Sequence, residues 1–389
     1  MKQKSSVSIT TIGLAIFTML FGAGNIIYPI KAGVLAGSKN YIGILGFLLT
    51  GVLLPIIGLI AMILFDGDYK AFFARIGRVP GYLAILFCMF IIGPMLVMPR
   101  CITVPYDMLS PFLPSVSLNV FTVLFTAVTF ILTYKESNLL DILGKYMSWL
   151  LIGSLGLIIV VGVFNGQTMI EQPLPASTVF FQQILHGFQT LDLIGALFFA
   201  FIIVRLIKLN TQGDISPHKL ALMGLKGGTI TATLMTAFYV GFSYLGAYYA
   251  YLVSPDMNGA EIFRTITIHV IGQYGVFVLI FAVFMACIST LAALAAVFAD
   301  YMRREIFNNK ISYVQSLILG LIMTITVSNF GLSNILKYGF PVISFGYPII
   351  VSITLCNMAY KLFDMPYIKG PVLATTLAMI AIYVYPHLM

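Results

Sequence analysis

Gly22-Ala23-Gly24-Asn25 lies in the middle of an apolar run from about 7 to 30. Two glycines and an asparagine are poor helix formers, and a helix broken inside hydrocarbon persists only where protein or water satisfies the freed N–H and C=O groups. Such a break with an amide beside it can hold a carboxylate or a cation, whereas glycines used only for close helix packing need no asparagine. A second interruption, His186-Gly187-Phe188-Gln189-Thr190-Leu191-Asp192, opens the apolar run that continues to about 206. Asp192 is the one acidic residue that is neither in a loop nor near a span end. A carboxylate there costs about 2.5–3.5 kcal/mol on insertion scales and by default marks an ion, proton or substrate pathway. Capping the second half of its own broken helix is the other reading. Arg100, the one cation inside a span, either snorkels to the headgroups or serves as a gate or a carboxylate's partner. Ser289-Thr290 sits deep in another apolar run, where hydroxyls usually bond back to their own helix.

These residues need a frame, and composition says which kind. The chain is 60% hydrophobic and 9% charged, with mean hydropathy +1.02, which describes an all-α polytopic membrane protein and excludes a soluble globular domain. Cys88, Cys101, Cys287 and Cys356 lie singly in apolar runs, so neither disulfides nor structural zinc are expected. The net charge of +8 comes from basic residues scattered through short loops rather than a stripe, so no nucleic-acid partner is implied. His186, His218, His269 and His387 are far apart, and no H-E-x-x-H, G-x-S-x-G or P-loop occurs, so no catalytic residue or cofactor is expected. Lys2 and Lys4 ahead of an apolar stretch resemble a signal peptide, but that stretch runs on to about 30, and a retained first span is the expectation.

About eleven spans of membrane length are predicted, near 7–30, 41–65, 81–109, 119–134, 142–164, 184–207, 222–252, 270–300, 312–328, 334–359 and 370–386. With the N-terminus inside, the inner segments hold 16 of the 21 Lys and Arg residues, from Lys2 to Lys369, and the outer segments hold Lys31, Lys39, Arg264 and Lys337. The positive-inside rule supports that orientation. Dividing the first ten spans into two sets of five puts a broken segment at the head of each. An odd number per set inverts the second relative to the first, which places a binding site between the breaks near the bilayer midplane. Pro94, Pro99 and Pro105 predict a kinked third span, and Pro341 and Pro348 a kinked tenth. The stretch 261–271, after Ser254-Pro255-Asp256, reads as a short surface or re-entrant helix or as a capped loop.

The letters resemble the bacterial branched-chain amino acid:cation symporters of the BrnQ type over nearly the whole chain. The resemblance is carried by Gly22-Ala23-Gly24-Asn25-Ile26-Ile27-Tyr28-Pro29, Gly93-Pro94 with Pro99-Arg100, and Gly187-Phe188-Gln189-Thr190-Leu191-Asp192. Asn258-Gly259-Ala260, Ala286-Cys287 with Thr290, Ser328-Asn329-Phe330-Gly331-Leu332-Ser333, Pro341 and Tyr347-Pro348 extend it in the same order. It implies a LeuT-like five-plus-five inverted repeat, broken in helices 1 and 6, with one transporter domain over 1–389, repeats near 7–164 and 184–359, and an extra helix at 370–386. It further implies uptake of leucine, isoleucine and valine with a cation, usually sodium, across a bacterial inner membrane. Ile30, Phe188 and Leu191 depart from the family's usual proline, tyrosine and methionine. The chain also ends after about eleven spans where relatives have twelve, and transport is expected to survive that difference.

The resulting expectations are specific. The substrate carboxylate meets the N–H groups of Gly22, Ala23, Gly24 and Asn25, at the positive end of a half-helix. The amino group meets carbonyls freed between Phe188 and Leu191, through Gln189 and Thr190, with Asp192 holding the break and adding negative potential. The resemblance to LeuT-like folds places the coupling cation between carbonyls near Phe21 to Gly24 and the Thr290 hydroxyl, with Ser289 as the weaker ligand. A proton-coupled transporter or exchanger, and from another class a membrane enzyme or channel, are the alternatives.

Overall fold

The computed structural model describes residues 8–134, 147–210 and 216–384, and among them every regular element is helical. Lys2, Lys4, Lys135 and Lys145 of the charge argument, and the first residues of the span expected at 142–164, lie outside the described residues.

The first span is two helices, α1 (Ile9–Leu20) and α2 (Ala23–Ala36). Phe21, at φ −78° and ψ 89°, leaves helical geometry, and Gly22 at φ −119° and ψ −156° is extended. The side-chain oxygen of Asn25 accepts the Gly22 N–H at 2.9 Å, so the asparagine supplies what the missing helical turn would have supplied. Gly37, at φ +49°, turns the chain into α3 (Asn40–Leu48), which passes through a π-turn at Leu49–Leu53 into α4 (Leu54–Leu64). A short helix, α5 (Tyr69–Ala74), follows, with the Asp68 carboxylate accepting the Ala71 N–H at its start.

The kink expected of the third span occurs at Gly93-Pro94, where a π-turn at Ile91–Met95 separates α6 (Arg78–Phe90) from α7 (Val97–Leu109). Arg100 is thereby carried on a helix that restarts within the span. α8 (Leu118–Thr133) and α9 (Ser148–Phe164) complete the first half.

The second half opens with the other break, between α10 (Ala176–Phe188) and α11 (Asp192–Asn210). Leu191 has φ +65°, a left-handed conformation that a branched side chain adopts only where the surroundings hold it. α12 (Pro217–Tyr248), α13 (Gly259–Ile271), α14 (Gly275–Tyr301), α15 (Tyr313–Ser328), α16 (Leu332–Phe363) and α17 (Lys369–Val384) follow. α13 resolves the choice left open for 261–271. It is a helix, begun by a reciprocal cap in which Asn258 accepts from the Glu261 N–H and Glu261 accepts from the Asn258 N–H. α16 stays helical through Pro341 and Pro348.

Six helical stretches among the described residues are long and apolar enough to cross a membrane, and shorter apolar helices accompany them. Two of the six contain turns at Gly37 and Gly272, so a stretch is not always a single crossing.

Small residues bring the helices that carry the breaks close to their neighbours. A Cβ on Gly33 of α2 would lie 1.8 Å from the Ser243 carbonyl oxygen of α12, and one on Gly246 would lie 2.0 Å from the Ile30 carbonyl oxygen. Similarly, a Cβ on Gly187 of α10 would lie 2.0 Å from the Thr50 hydroxyl, which itself donates to the Ile184 carbonyl at 2.8 Å. In lipid, where no hydrophobic force favours one helix face over another, such close backbone contact is a main source of association.

Gly33→Ala is therefore expected to lower stability by about 1–3 kcal/mol, because the methyl must force two backbones apart. Gly228→Ala, whose methyl would meet Leu59 at an ordinary 3.6 Å, should be neutral. Thermal unfolding in detergent compares them, and equal melting temperatures would contradict the close-packing argument.

Candidate functional site

The two breaks meet. A narrow cavity between them is lined by Gly22, Ala23, Gly24 and Asn25 from the first, Thr190, Leu191 and Asp192 from the second, Arg100 from α7 and Thr290 from α14. All four polar or charged side chains among Asn25, Arg100, Asp192 and Thr290 are at least 96% buried.

The centre of the arrangement is the Asp192 carboxylate. One of its oxygens accepts from the Asn25 amide at 2.7 Å and from the Tyr239 hydroxyl of α12 at 2.7 Å, and the Asn25 amide also touches the Tyr239 oxygen. Asn25 thus serves both breaks, accepting Gly22 N–H with its oxygen and donating to Asp192 with its nitrogen. The capping reading of Asp192 is corrected: it is the first residue of α11, and its carboxylate joins α11 to α2 and α12. A carboxylate held by side-chain donors from two other helices fixes their relative positions, which a cap within one helix does not.

Arg100 does not snorkel. It is 1% exposed and donates to the Gln189 carbonyl at 2.9 Å, the Thr190 carbonyl at 3.1 Å and the Tyr28 hydroxyl at 3.4 Å. The physical reason is the break itself, whose carbonyls follow the negative end of α10 and offer a cation a better partner than distant headgroups. Those two carbonyls therefore already have a donor. The Phe188 carbonyl likewise accepts the Leu191 N–H at 3.1 Å.

Ser289 and Thr290, adjacent in sequence, face different surroundings. The Ser289 hydroxyl is 2.7 Å from the Met285 carbonyl of its own helix and 3.2 Å from the Thr18 carbonyl of α1. Thr290 lines the cavity, and its hydroxyl oxygen is buried with no hydrogen-bond partner. A Cβ on Gly22 would lie 2.8 Å from that oxygen, so α14 and the first break are in contact there.

Phe21, Phe188, Gln189 and Ser289 are not on the cavity wall. The Phe21 ring packs against Phe17, Phe238 and Tyr239, and the Phe188 ring against Tyr347 at 4.9 Å. Of the three positions that depart from the family's usual residues, only Leu191 reaches the wall; Ile30 lies in the contact between α2 and α12. The sequence reading missed Tyr239, and it quoted Tyr28 and Tyr347 only within the resemblance, without a role. Nothing local separates Tyr239 from the other tyrosines of an aromatic-rich chain, since a tyrosine in an apolar run reads as core.

Two helices broken around one cavity, inside a bundle of apolar helices, are the LeuT-like fold. Solved structures with this architecture include a closed conformation of Mhp1, described as a nucleobase-cation-symport-1 family transporter with bromovinylhydantoin bound. It shares 15% identity and a TM-score of 0.64, with 98% of this chain and 93% of that one covered. MhsT in complex with L-phenylalanine is similar at 15% identity and TM-score 0.60, covering 98% and 99% of the two chains. The chain belongs to the branched-chain amino acid transport protein family, whose model matches residues 5–385. The branched-chain amino acid permease BrnQ of Bacillus subtilis is 31% identical over 371 residues, 93% of this chain and 83% of the relative. Permease BraB of the same organism is 31% identical over 360 residues, covering 90% and 80%. The chain is accordingly a multi-pass membrane transporter and not an enzyme.

Tyr239→Phe removes one of the donors to Asp192 and is expected to cost about 1–3 kcal/mol. Because both residues belong to one buried network, combining it with Asp192→Asn should depart from additivity by more than about 0.5 kcal/mol. Strictly additive melting shifts in detergent would show that the two side chains act independently.

Proposed function

We propose that this transporter imports leucine, isoleucine and valine by sodium symport across a bacterial inner membrane, with its N-terminus in the cytoplasm. The observation that carries the reading is that the N-terminus of α2, the Asp192 carboxylate and the unpartnered Thr290 hydroxyl all open on one cavity. A helix N-terminus favours a carboxylate. The Gly22 N–H is taken by the Asn25 side chain and the Asn25 N–H by the Gly22 carbonyl, so the carboxylate falls to the N–H groups of Ala23 and Gly24 at that end. The Asp192 carboxylate gives the ammonium group an anionic partner beside the carbonyls of the second break. The aliphatic side chain then rests on apolar wall residues such as Leu191 and Phe199.

The cation belongs between the first break and α14. A hard cation needs several oxygen ligands, which carbonyls from Phe21 to Gly24 and the Thr290 hydroxyl can supply. Ser289 contributes less, because its hydroxyl lies against Met285 of its own helix. A cation in that place braces α1 and α2 against α14 and raises leucine affinity, and linkage requires leucine to raise cation affinity by the same factor. Each net charge moved inward gains about 2.3 kcal/mol per 100 mV, enough for roughly 50-fold accumulation before any chemical gradient is counted.

The order of elements supports inverted repeats near 7–164 and 184–359, with the helix at 370–386 outside them. Each half opens on a broken helix and inserts a short helix after its second span, α5 in one and α13 in the other. The excess of basic residues on alternate loops supports the orientation. The buried carboxylate of Asp192 favours one second reading, in which a proton replaces sodium as the coupling ion.

Purified protein in sealed vesicles separates these. Labelled leucine should accumulate against its gradient, chemically unchanged, when sodium is supplied outside. Thr290→Val keeps the shape and removes one oxygen, so it should shift the sodium dependence to higher concentration, with most uptake recovered at saturating sodium. Uptake that ignores sodium and follows a proton gradient would replace sodium with the proton reading. Leucine that merely equilibrates would indicate a passive pathway.

A further inference from the structure

Arg100 is a buried cation to which the contacts proposed above assign no part. Every acceptor it has is neutral: the Gln189 and Thr190 carbonyls and the Tyr28 hydroxyl. A guanidinium carries five N–H donors in a rigid plane. These bonds use both donors of Nη1 and one of Nη2, which leaves Nε–H and one Nη2 hydrogen. Nε is buried and has no acceptor.

The negative end of α10 offsets part of the charge, but it does so through carbonyls on the other two nitrogens and gives Nε nothing. Adjacent guanidinium donors are the pattern that holds a carboxylate in bidentate fashion, and a buried cation without an anion is strongly destabilising. The other buried charge of the cavity does not supply that anion. Asp192 lies close enough to interact with the Arg100 charge, but its carboxylate is hydrogen-bonded by Asn25 and Tyr239, and none of the ion pairs among the described residues joins it to Arg100. The one cavity therefore presents a cation and a carboxylate, each hydrogen-bonded to its own neutral partners and not to the other. The guanidinium also rests on the first turn of α2, since a Cβ on Gly24 would lie 2.5 Å from Nη2. That is the turn whose N–H groups were assigned to the substrate carboxylate.

We propose that Arg100 receives the carboxylate of an α-amino acid while Asp192 faces its ammonium, so that the site recognises a zwitterion through two fixed and opposite charges. The proposal rests on the substrate reading above and adds to it the residue that sets the class of substrate. It also gives the carboxylate a mechanical effect. Arg100 sits on α7 and holds the carbonyls of the second break, so an anion placed between it and the N-terminus of α2 connects α7 to both broken helices.

Direct binding to the purified full chain in detergent tests this, with leucine and leucinamide as the two probes. Leucinamide keeps the ammonium and the side chain and lacks the carboxylate. The wild type should prefer leucine by a factor on the order of 100, the scale expected for a buried charge-assisted contact. Arg100→Met should lose about that factor for leucine while leucinamide, which no longer faces a cation, binds as well or better. Arg100→Lys keeps the charge without the planar fork and should lose roughly tenfold; it carries the comparison if the methionine variant does not fold. Equal losses for both probes would mean that Arg100 is only a brace, and an unchanged preference would mean that it does not touch the carboxylate. Either result overturns the proposal while leaving the substrate reading intact. A wild type that binds no leucine overturns both.

Discussion

A carboxylate in the interior of a membrane protein has to be supplied with donors, and the rest of this molecule is arranged around how Asp192 is supplied. Leaving such a group unpartnered in a low-dielectric interior costs several kcal/mol. Its donors Asn25 and Tyr239 come from α2 and α12. Asn25 in turn accepts the N–H of Gly22, so the residue that satisfies the second break is also the one that terminates the first. The two interruptions, far apart in the chain, are thus joined by one set of side-chain hydrogen bonds.

The opposite charge is handled by the same economy of partners. The carbonyls left over at the end of α10 need donors, and Arg100 on α7 provides them from a helix that restarts after the Gly93-Pro94 kink. Glycines then allow the supporting helices to come close enough for side chains of ordinary length to reach these positions. Gly33 and Gly246 bring α2 against α12, and Tyr239 is on α12. The result is a cavity whose polar side chains are almost all engaged, with the Thr290 hydroxyl and Arg100 Nε as exceptions. Unpaired buried polar atoms are uncommon in folded proteins and call for a reason; here both belong to residues that line the place where the breaks meet.

Much of the fold was legible in the chain because its causes are local. Long apolar runs have to be helical in lipid, and glycine with asparagine in the middle of one has to interrupt it. The same is true of the Gly93-Pro94 kink and of the Asn258 cap, whose partner Glu261 is three residues away. Parts of the site were legible for the same reason: Gly22 to Asn25, Asp192 and Thr290 stood out as polar or flexible residues in apolar surroundings, and the structure places all of them on one cavity. Phe21, Phe188 and Gln189 also sat in the breaks but are turned away from the wall, because a break exposes backbone and leaves side-chain direction to the neighbours.

What the chain could not reveal were the partners. Asn25 and Asp192 are separated by 167 positions, and Arg100 and Thr190 by 90. No local spacing encodes such pairs. Tyr239 carries no local mark that separates it from a core tyrosine, and Arg100 read as readily as a residue reaching for headgroups. By itself the sequence determined where helices form and where they must fail, since those outcomes depend on backbone hydrogen bonding within a few residues. The tertiary structure alone decided which groups repair the failures, because satisfying a buried charge depends on what other helices bring within about 3 Å of it.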